Sequence, residues 1–410
     1  MDYGLIGEKL PHSFSKEIHE QLGYYQYSLK ELKAEEVKSF ILQKNFKAIN
    51  VTIPYKQTVM PYLDEIDPDA LAIGAVNTVV NRDGVLYGYN TDFGGMKALI
   101  ERAGVVMKYK KVLILGTGGT SLTARAVCER MGAKEILRVS RRAADGAITY
   151  EQAYADHTDA DVILNATPCG MFPKIFDCPV DITKFPRLSG VIDVIYNPLQ
   201  TRLILSARER GIDAGGGLYM LVSQAVLAAE HFLGRELDVV ALTNQIYEKI
   251  YFDKRNIILS GMPASGKSTV GKIVAEALGR ELIDTDRLIV ERYGDIPTIF
   301  REKGERYFRD LESEVIKEVS ALSDKVISLG GGVVMRPENV AALRQNGAIF
   351  FIDRSPEYLI PTDDRPLADK KEKIMRLYKK RIDTYMNTAD FIIDGDCDPE
   401  DVADSIINGE

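Results

Sequence analysis

The 410-residue chain is 45% hydrophobic and 27% charged, enough apolar material for more than one core, and its length suggests two or three domains. A net charge of −8 argues against a nucleic-acid footprint, which needs a basic surface, so small anionic ligands must be held by a few placed residues. Cys128, Cys169, Cys178 and Cys397 form neither a Cys-x-x-Cys pair nor a metal-ligand rhythm, and no stretch approaches the ~18 continuous apolar residues of a membrane span, so a cytoplasmic protein without export signal or membrane anchor is expected.

Residues 1 to about 100 alternate short apolar runs with helical stretches, such as Glu35 to Gln43, followed by the β-branched strand Ala48 to Thr52, which Pro54 stops. This is an α/β pattern without a phosphate loop. From Lys111 the order becomes strand Val112 to Leu115, glycine turn, helix Leu122 to Met131 and strand Glu135 to Val139, with later strands at Val162 to Asn165 and Val191 to Asp193. Such alternation is the signature of a doubly wound parallel sheet. A helix from about Tyr219 has the periodicity of a docking helix, and one from about Asp238 to Ile250 closes the first half. Tyr251 to Arg255 then leads directly into a second α/β unit, with strands at Ile257 to Ser260, Glu281 to Ile283, Val326 to Leu329 and Ala348 to Ile352. The expected domains are 1–100, completed by a returning helix near 219–250, then 101–237, and finally 254–410.

Two phosphate-binding loops of different design punctuate this order. Gly116-Thr117-Gly118-Gly119-Thr120-Ser121 follows a strand and opens a helix, so its backbone can approach a dinucleotide pyrophosphate at the helix N-terminus. Past the next strand stands Ser140-Arg141-Arg142, where an NAD enzyme places an acidic residue, and a guanidinium there favours the 2′-phosphate of NADP(H). The second loop, Gly261-Met262-Pro263-Ala264-Ser265-Gly266-Lys267-Ser268-Thr269, has full Walker A spacing. Backbone amides from Gly261 through Thr269, among them those of Ala264, Ser265 and Gly266, should cradle ATP oxygens, with Lys267 between the β- and γ-phosphates and Ser268 on Mg²⁺.

The first half resembles shikimate dehydrogenase through six ordered segments: His12 to Ser15, Asn50 to Lys56, Gly74 to Thr78, Gly88 to Asp92, Asn165 to Met171 and Gly217 to Gln224. Lys16 stands where that family usually has proline. Ketone reduction needs a proton donor at oxygen, and Lys56 with Asp92 supplies a protonatable pair of opposite charge, Lys56 as general acid/base and Asp92 as its orienting partner. The resemblance implies that Ser13 and Ser15 hold the substrate carboxylate and that Thr52, Asn77, Tyr196 and Gln224 hold ring hydroxyls or neighbouring atoms. It also implies that Asn165-Ala166-Thr167-Pro168 and Val194 border the cofactor, with Gly217 and Met220 near the nicotinamide. Taken singly these residues have plainer readings: Ser13 and Ser15 as caps of a helix over Lys16 to Gln21, Lys56 as a solvated lysine, Asp92 as a helix cap.

The second half resembles shikimate kinase in Asp284-Thr285-Asp286, Gly304 to Arg309, Gly330-Gly331-Gly332, Asp364-Arg365-Pro366-Leu367 and Arg381 before Tyr385. The resemblance implies a nucleoside monophosphate kinase-like P-loop fold in which Asp284 supports the Mg²⁺ shell and Asp286 takes a ring hydroxyl. Arg309 and Arg381 would clamp the carboxylate, Gly331 would donate its backbone amide to the substrate, and Arg365 would close from a lid over ATP. The stretch Pro356 to Asp369 is shorter than the family's lid.

The fold class expected is therefore an α/β substrate domain, a Rossmann NADP-binding domain and a P-loop domain. The function expected is bifunctional: NADPH-dependent reduction of 3-dehydroshikimate to shikimate and MgATP-dependent phosphorylation of shikimate. The partners expected are these small molecules, with neither nucleic acid nor membrane, and a homo-oligomer stays open. A quinate/shikimate dehydrogenase joined to a related small-molecule kinase, or a ligand-binding regulatory module without turnover, are the alternatives.

Overall fold

Short apolar runs build three sheets in the computed structural model, which describes residues 1–10, 13–143, 146–361, 367–368 and 370–408. Arg365, with His12, Asp364 and Pro366, lies outside the described residues. The chain divides into two compact units, Met1–Phe252 and Asp253–Glu410.

In the first unit, β1 (Tyr3–Gly7), β2 (Ser28–Glu31), β3 (Ala48–Val51), β4 (Glu65–Ile66), β5 (Thr78–Arg82) and β6 (Val85–Tyr89) form a sheet ordered β2-β1-β3-β5-β6-β4. β1 runs parallel to β2 and β3, while β5 pairs antiparallel with both β3 and β6. The second sheet contains β7 (Lys111–Leu115), β8 (Glu135–Ser140), β9 (Ile148–Thr149), β10 (Val162–Asn165), β11 (Gly190–Asp193) and β12 (Asp213–Gly216), all parallel in the order β12-β11-β10-β7-β8-β9. A parallel sheet covered on both faces needs apolar side chains on both. Accordingly Val112 and Ile114 of β7 join a core with Met96, Leu99 and Val127, while Leu113 and Leu115 join another with Ile163, Val191 and Leu203. The strand order reverses between β7 and β10, and in such folds ligands bind at that crevice.

The helix Thr91–Arg102 starts at Asn90, whose side chain accepts from Phe93 N at 3.3 Å. It packs closely on the helix Leu218–Leu233, because a Cβ on Gly95 would stand only 2.7 Å from Met220 O. That approach brings Thr91 and Asp92, in the first turn of one helix, up to Gln224 on the other, and Thr91 Oγ1 donates to Gln224 Oε1 at 3.4 Å.

Several boundaries differ from the sequence reading. The helix after β7 spans Gly119–Arg130, beginning three residues before Leu122, because the first turn of a phosphate-loop helix is built from small polar residues without apolar periodicity. The helix Val239–Lys254 runs past Ile250. The helix is Ser15–Gln21 with Phe14, not a serine, at its N-cap position, while Ser13 Oγ accepts from Ser15 N at 3.3 Å, the first amide of the helix.

The second unit holds one parallel sheet of β13 (Asn256–Ser260), β14 (Leu282–Asp284), β15 (Val326–Ser328), β16 (Gly347–Asp353) and β17 (Phe391–Asp394), ordered β14-β15-β13-β16-β17. β13 is central and fully buried, so it delivers the second phosphate loop at the middle of the sheet edge. Ile257 and Leu259 pack with Val270 and Val274 of the helix Lys267–Leu278 and with Phe350 and Ile352 of β16. The helical stretch Ile296–Val319 is broken at Gly304 (φ 82°, ψ 168°), and its second leg carries Arg309 and Glu312. No helix among the described residues is long and apolar enough to cross a membrane.

Candidate active sites

A cleft of about 660 Å³ in the first unit gathers residues from both of its sheets. Lys56 follows Tyr55, a fully buried ring whose hydroxyl donates to Leu32 O at 2.6 Å, and Lys56 O accepts from Val76 N. Thus anchored, Lys56 Nζ donates to Asp92 Oδ2 at 2.5 Å, and the two side chains are only 17% and 11% exposed. Such a pair in a water-poor pocket holds a proton where a substrate oxygen can meet it.

The wall beside this pair is neutral and hydrogen-bonded. Asn77 Oδ1 accepts from Thr91 N at 2.8 Å, and Asn77 Nδ2 donates to Thr91 Oγ1 at 3.0 Å and Gln224 Oε1 at 3.4 Å. Behind it, Asn50 Nδ2 donates to Thr78 Oγ1 and to Asn77 O, and Asn50 Oδ1 accepts from Tyr27 OH at 2.7 Å. His19 stacks on Tyr27 with ring centroids 3.9 Å apart, and burial pushes its pKa down to about 3, so this ring adds no charge to the wall. Ser13, Ser15, Thr52 and Tyr196 face the same cleft, and burial raises the Tyr196 phenol, keeping it a donor. Neutral donors and acceptors suit hydroxyls, and the serine hydroxyls suit a carboxylate.

The cofactor side is built at the strand ends of the second sheet. Gly116 has φ +111°, and a Cβ there would stand 3.1 Å from Thr167 Cγ2 and 3.2 Å from Ala166 O, so only glycine fits this turn. Around Gly118 and Gly119 there is open space, which leaves the start of the helix Gly119–Arg130 approachable by an anion. Thr120, Thr167, Val194, Gly217 and Met220 line the same cleft as Lys56. Thr117 lies in the turn, and Ser140, with exposed Arg141 and Arg142, comes at the end of β8, beside the turn through Gly116 N donating to Val139 O. These residues fit a dinucleotide carrying a 2′-phosphate.

Two buried side chains brace these loops. Asn165 Nδ2 donates to Asp193 Oδ1 at 3.0 Å while Asn165 Oδ1 accepts from Thr167 N and Thr167 Oγ1. Asp193 also accepts from Ile195 N and, through Oδ2, from Thr201 Oγ1 at 2.7 Å. Burial pushes the Asp193 carboxyl up to about 7 in spite of these three donors.

The second unit contains a cleft of about 630 Å³ lined by Ala264 through Thr269, Asp284, Asp286, Arg309, Glu312, Gly331 and Arg381. Lys267 Nζ, almost wholly buried, donates to Gly261 O at 3.1 Å and Met262 O at 2.7 Å. Ser265 Oγ is buried without a partner among the described residues, and a Cβ on Gly261 would meet Ile352 O at 2.9 Å, so the loop is a tight cradle with an unsatisfied hydroxyl. Ser268 Oγ donates to Asp284 Oδ2 at 2.7 Å, while Asp284 Oδ1 accepts from Asp286 N and Arg287 N and so starts the helix Thr285–Tyr293. This hydroxyl and carboxylate fit Mg²⁺, which takes few protein oxygens and completes its shell with phosphate and water. Among the described residues no group of three or more His, Cys, Asp or Glu could hold a metal.

Opposite the loop, Arg309 pairs with Glu312 and, at 3.2 Å, with Glu305. Glu312 is 2% exposed; burial raises its carboxyl, Arg309 opposes that shift and Asp286 reinforces it. Arg381 Nη1 donates to Gly331 O at 2.8 Å, and Tyr385 OH donates to the same carbonyl. A Cβ on Gly331 would meet Pro263 Cδ at 2.9 Å, so the phosphate loop packs directly on this glycine. Gly332 is the residue packed on Arg309, whose Nη1 would lie 1.9 Å from its Cβ. Two guanidinium groups lining one cleft suit a carboxylate.

Residues 263–409 match the family "Shikimate kinase", and residues 5–79 match "Shikimate dehydrogenase substrate binding domain". Over 272 residues the chain is 36% identical to the shikimate dehydrogenase (NADP(+)) of Clostridium perfringens (strain ATCC 13124), covering 60% of this chain and 97% of that protein. The chain belongs to the shikimate dehydrogenase family, with a shikimate kinase domain joined to it. The crystal structure of shikimate dehydrogenase 1 from Peptoclostridium difficile is similar at 36% identity and TM-score 0.56, covering 61% of this chain and 98% of that one. That of the Thermus thermophilus shikimate 5-dehydrogenase in complex with NADP(H) and shikimate is similar at 25% identity and TM-score 0.54, covering 61% and 99%.

Within the shikimate dehydrogenase part, sequence reasoning missed Asn50, Thr91 and Asp193, although Asn50 and Thr91 lie inside the motifs quoted and a polar residue ending a buried strand, as Asp193 does, is a visible signal; Asn165 was expected beside the cofactor but not as the brace of Asp193. In the shikimate kinase domain it missed Glu312, which stands three residues after Arg309 on the same helical leg.

Proposed function

We propose that the chain reduces 3-dehydroshikimate to shikimate in the first unit and phosphorylates shikimate at its 3-hydroxyl in the second. The observation that carries the first assignment is the enclosed Lys56–Asp92 pair beside a neutral hydroxyl-binding wall, in one cleft with Thr167, Val194 and Met220. When bound, NADPH supplies the hydride and MgATP the phosphoryl group. Lys56 gives its proton to the carbonyl oxygen as the carbon is reduced, and Asp92 holds the ammonium in line. Ser13 and Ser15 hold the carboxylate; Thr52, Asn77, Tyr196 and Gln224 hold the ring oxygens. In the kinase cleft, Arg309 and Arg381 clamp the same carboxylate and Asp286 accepts the proton of the attacking hydroxyl. Lys267 neutralises phosphate charge, and Ser268 with Asp284 holds Mg²⁺.

The domain division is proposed as 1–100 with the helix Leu218–Leu233 for the substrate, 101–237 for NADP(H) and 254–410 for the kinase, in a cytoplasmic protein whose partners are small molecules. A coupled assay tests the reading: 3-dehydroshikimate, NADPH and MgATP should yield shikimate 3-phosphate by mass, with NADPH oxidation and ADP release. A steady-state preference for quinate over shikimate would overturn the substrate assignment, and absence of both turnovers would favour a ligand-binding module.

A further inference from the structure

Arg354 follows β16, which pairs directly with β13, the strand that delivers the ATP loop. A Cβ on Gly266 would lie 3.6 Å from Arg354 Nη1, so this guanidinium stands against the residue that heads the helix Lys267–Leu278. Gly266 has φ +89°, a conformation that suits glycine and turns the loop amides toward a bound anion. Arg354 Nε is buried and has no hydrogen-bond partner among the described residues. A buried guanidinium N–H left without an acceptor is costly, and proteins rarely keep one unless a ligand completes it.

The neighbouring carboxylates do not complete it. Asp396 Oδ1 accepts from Ser355 N at 2.8 Å and Asp396 Oδ2 from Ser355 Oγ at 2.5 Å, so both oxygens already serve Ser355. Asp353 accepts from Tyr378 OH at 3.4 Å. With Asp353, Asp394, Asp396 and Asp398 clustered in sequence around the ends of β16 and β17, this rim is acidic and unfavourable for a polyphosphate unless a cation intervenes. Lys267 supplies one positive charge from inside the loop.

We propose that Arg354 is a second cationic contact for the phosphate chain of the nucleotide, its planar fork binding oxygens cradled at Gly266. The assignment deepens, and rests on, the reading of residues 261–269 as an ATP site. Arginine suits the task because it presents two N–H groups to two oxygens at once, which a lysine cannot.

The test uses the full chain with Arg354→Gln and Arg354→Lys, and equilibrium titration with two probes, MgADP and magnesium tripolyphosphate. Losing a charge-assisted contact should weaken both probes by roughly tenfold or more in Arg354→Gln, with partial recovery in Arg354→Lys. The KM for shikimate and the rate of NADPH oxidation should stay within about twofold of the unmodified chain, separating a nucleotide contact from a general disturbance. Unchanged binding of both probes, or weakening of MgADP alone, would overturn the phosphate contact. If the unmodified chain binds neither probe, the ATP-site reading itself fails.

Discussion

Adding a single methyl group at Gly332 should disable acceptor binding in the kinase without touching a charged residue. The Cβ of alanine would stand 1.9 Å from Arg309 Nη1, 2.3 Å from Cζ and 2.7 Å from Nη2. Ordinary contact distances are about 3.5 Å, so the guanidinium must retreat by roughly 1.5 Å. The backbone itself is unstrained, since Gly332 has φ −110°. The retreat pulls Arg309 off the buried Glu312 carboxylate and away from the acceptor. A hydrogen bond to a charged group is worth about 1.5–3 kcal/mol, so kcat/KM for shikimate should fall by roughly 10- to 150-fold in Gly332→Ala. ADP release measured at varied shikimate reads this directly, while the KM for ATP and the rate of NADPH oxidation should hold. A kinase kcat/KM within twofold of the parent chain would refute Arg309 as a carboxylate clamp.

Lys56→Ala should abolish NADPH oxidation while leaving ADP release nearly intact, and Lys267→Ala should do the reverse; equal loss of both activities from either change would contradict separate sites. Arg141→Asp should raise the KM for NADPH far more than that for NADH, and an unchanged ratio would remove the 2′-phosphate contact from that arginine. Asp193, pushed up to about 7 from 3.8 by burial, contributes stability that is full below about pH 4 and is lost as pH rises through 7. Asp193→Asn cannot ionise, and Thr201 can turn its hydroxyl to accept from the amide. Its unfolding free energy from urea titration, followed by loss of NADPH oxidation, should therefore gain on the parent chain between pH 5 and pH 8, by roughly 3 kcal/mol. A constant difference across that range would refute a raised Asp193.

Much of the site architecture was legible because each phosphate loop couples a buried strand to a helix start, a pattern carried by neighbouring residues. The residues facing Lys56 were legible only as an ordered set of motifs. Ser13 alone reads as a helix cap, and its hydroxyl does accept from Ser15 N although Phe14 holds the cap position, so its place in the cleft shows only through the other motifs. What stayed hidden depends on approach between distant segments. Asn165 and Asp193 meet through the pairing of β10 with β11, Gly331 owes its identity to Pro263, and Gly332 owes its identity to Arg309. Arg354 reads as one more charged residue after a strand until the neighbouring strand sets Gly266 against it.

Met220 and Gln224 sit four residues apart on one helix, and both line the cleft that holds Lys56. A helix advances about 6 Å over that interval and hardly stretches. With Met220 toward NADPH and Gln224 toward the ring acid, as proposed, it would work as a gauge block between the two reactants. Tilting it, for instance by enlarging Gly95 beneath Met220, would then shift both contacts together, and the spacing between them would be set by one stiff rod.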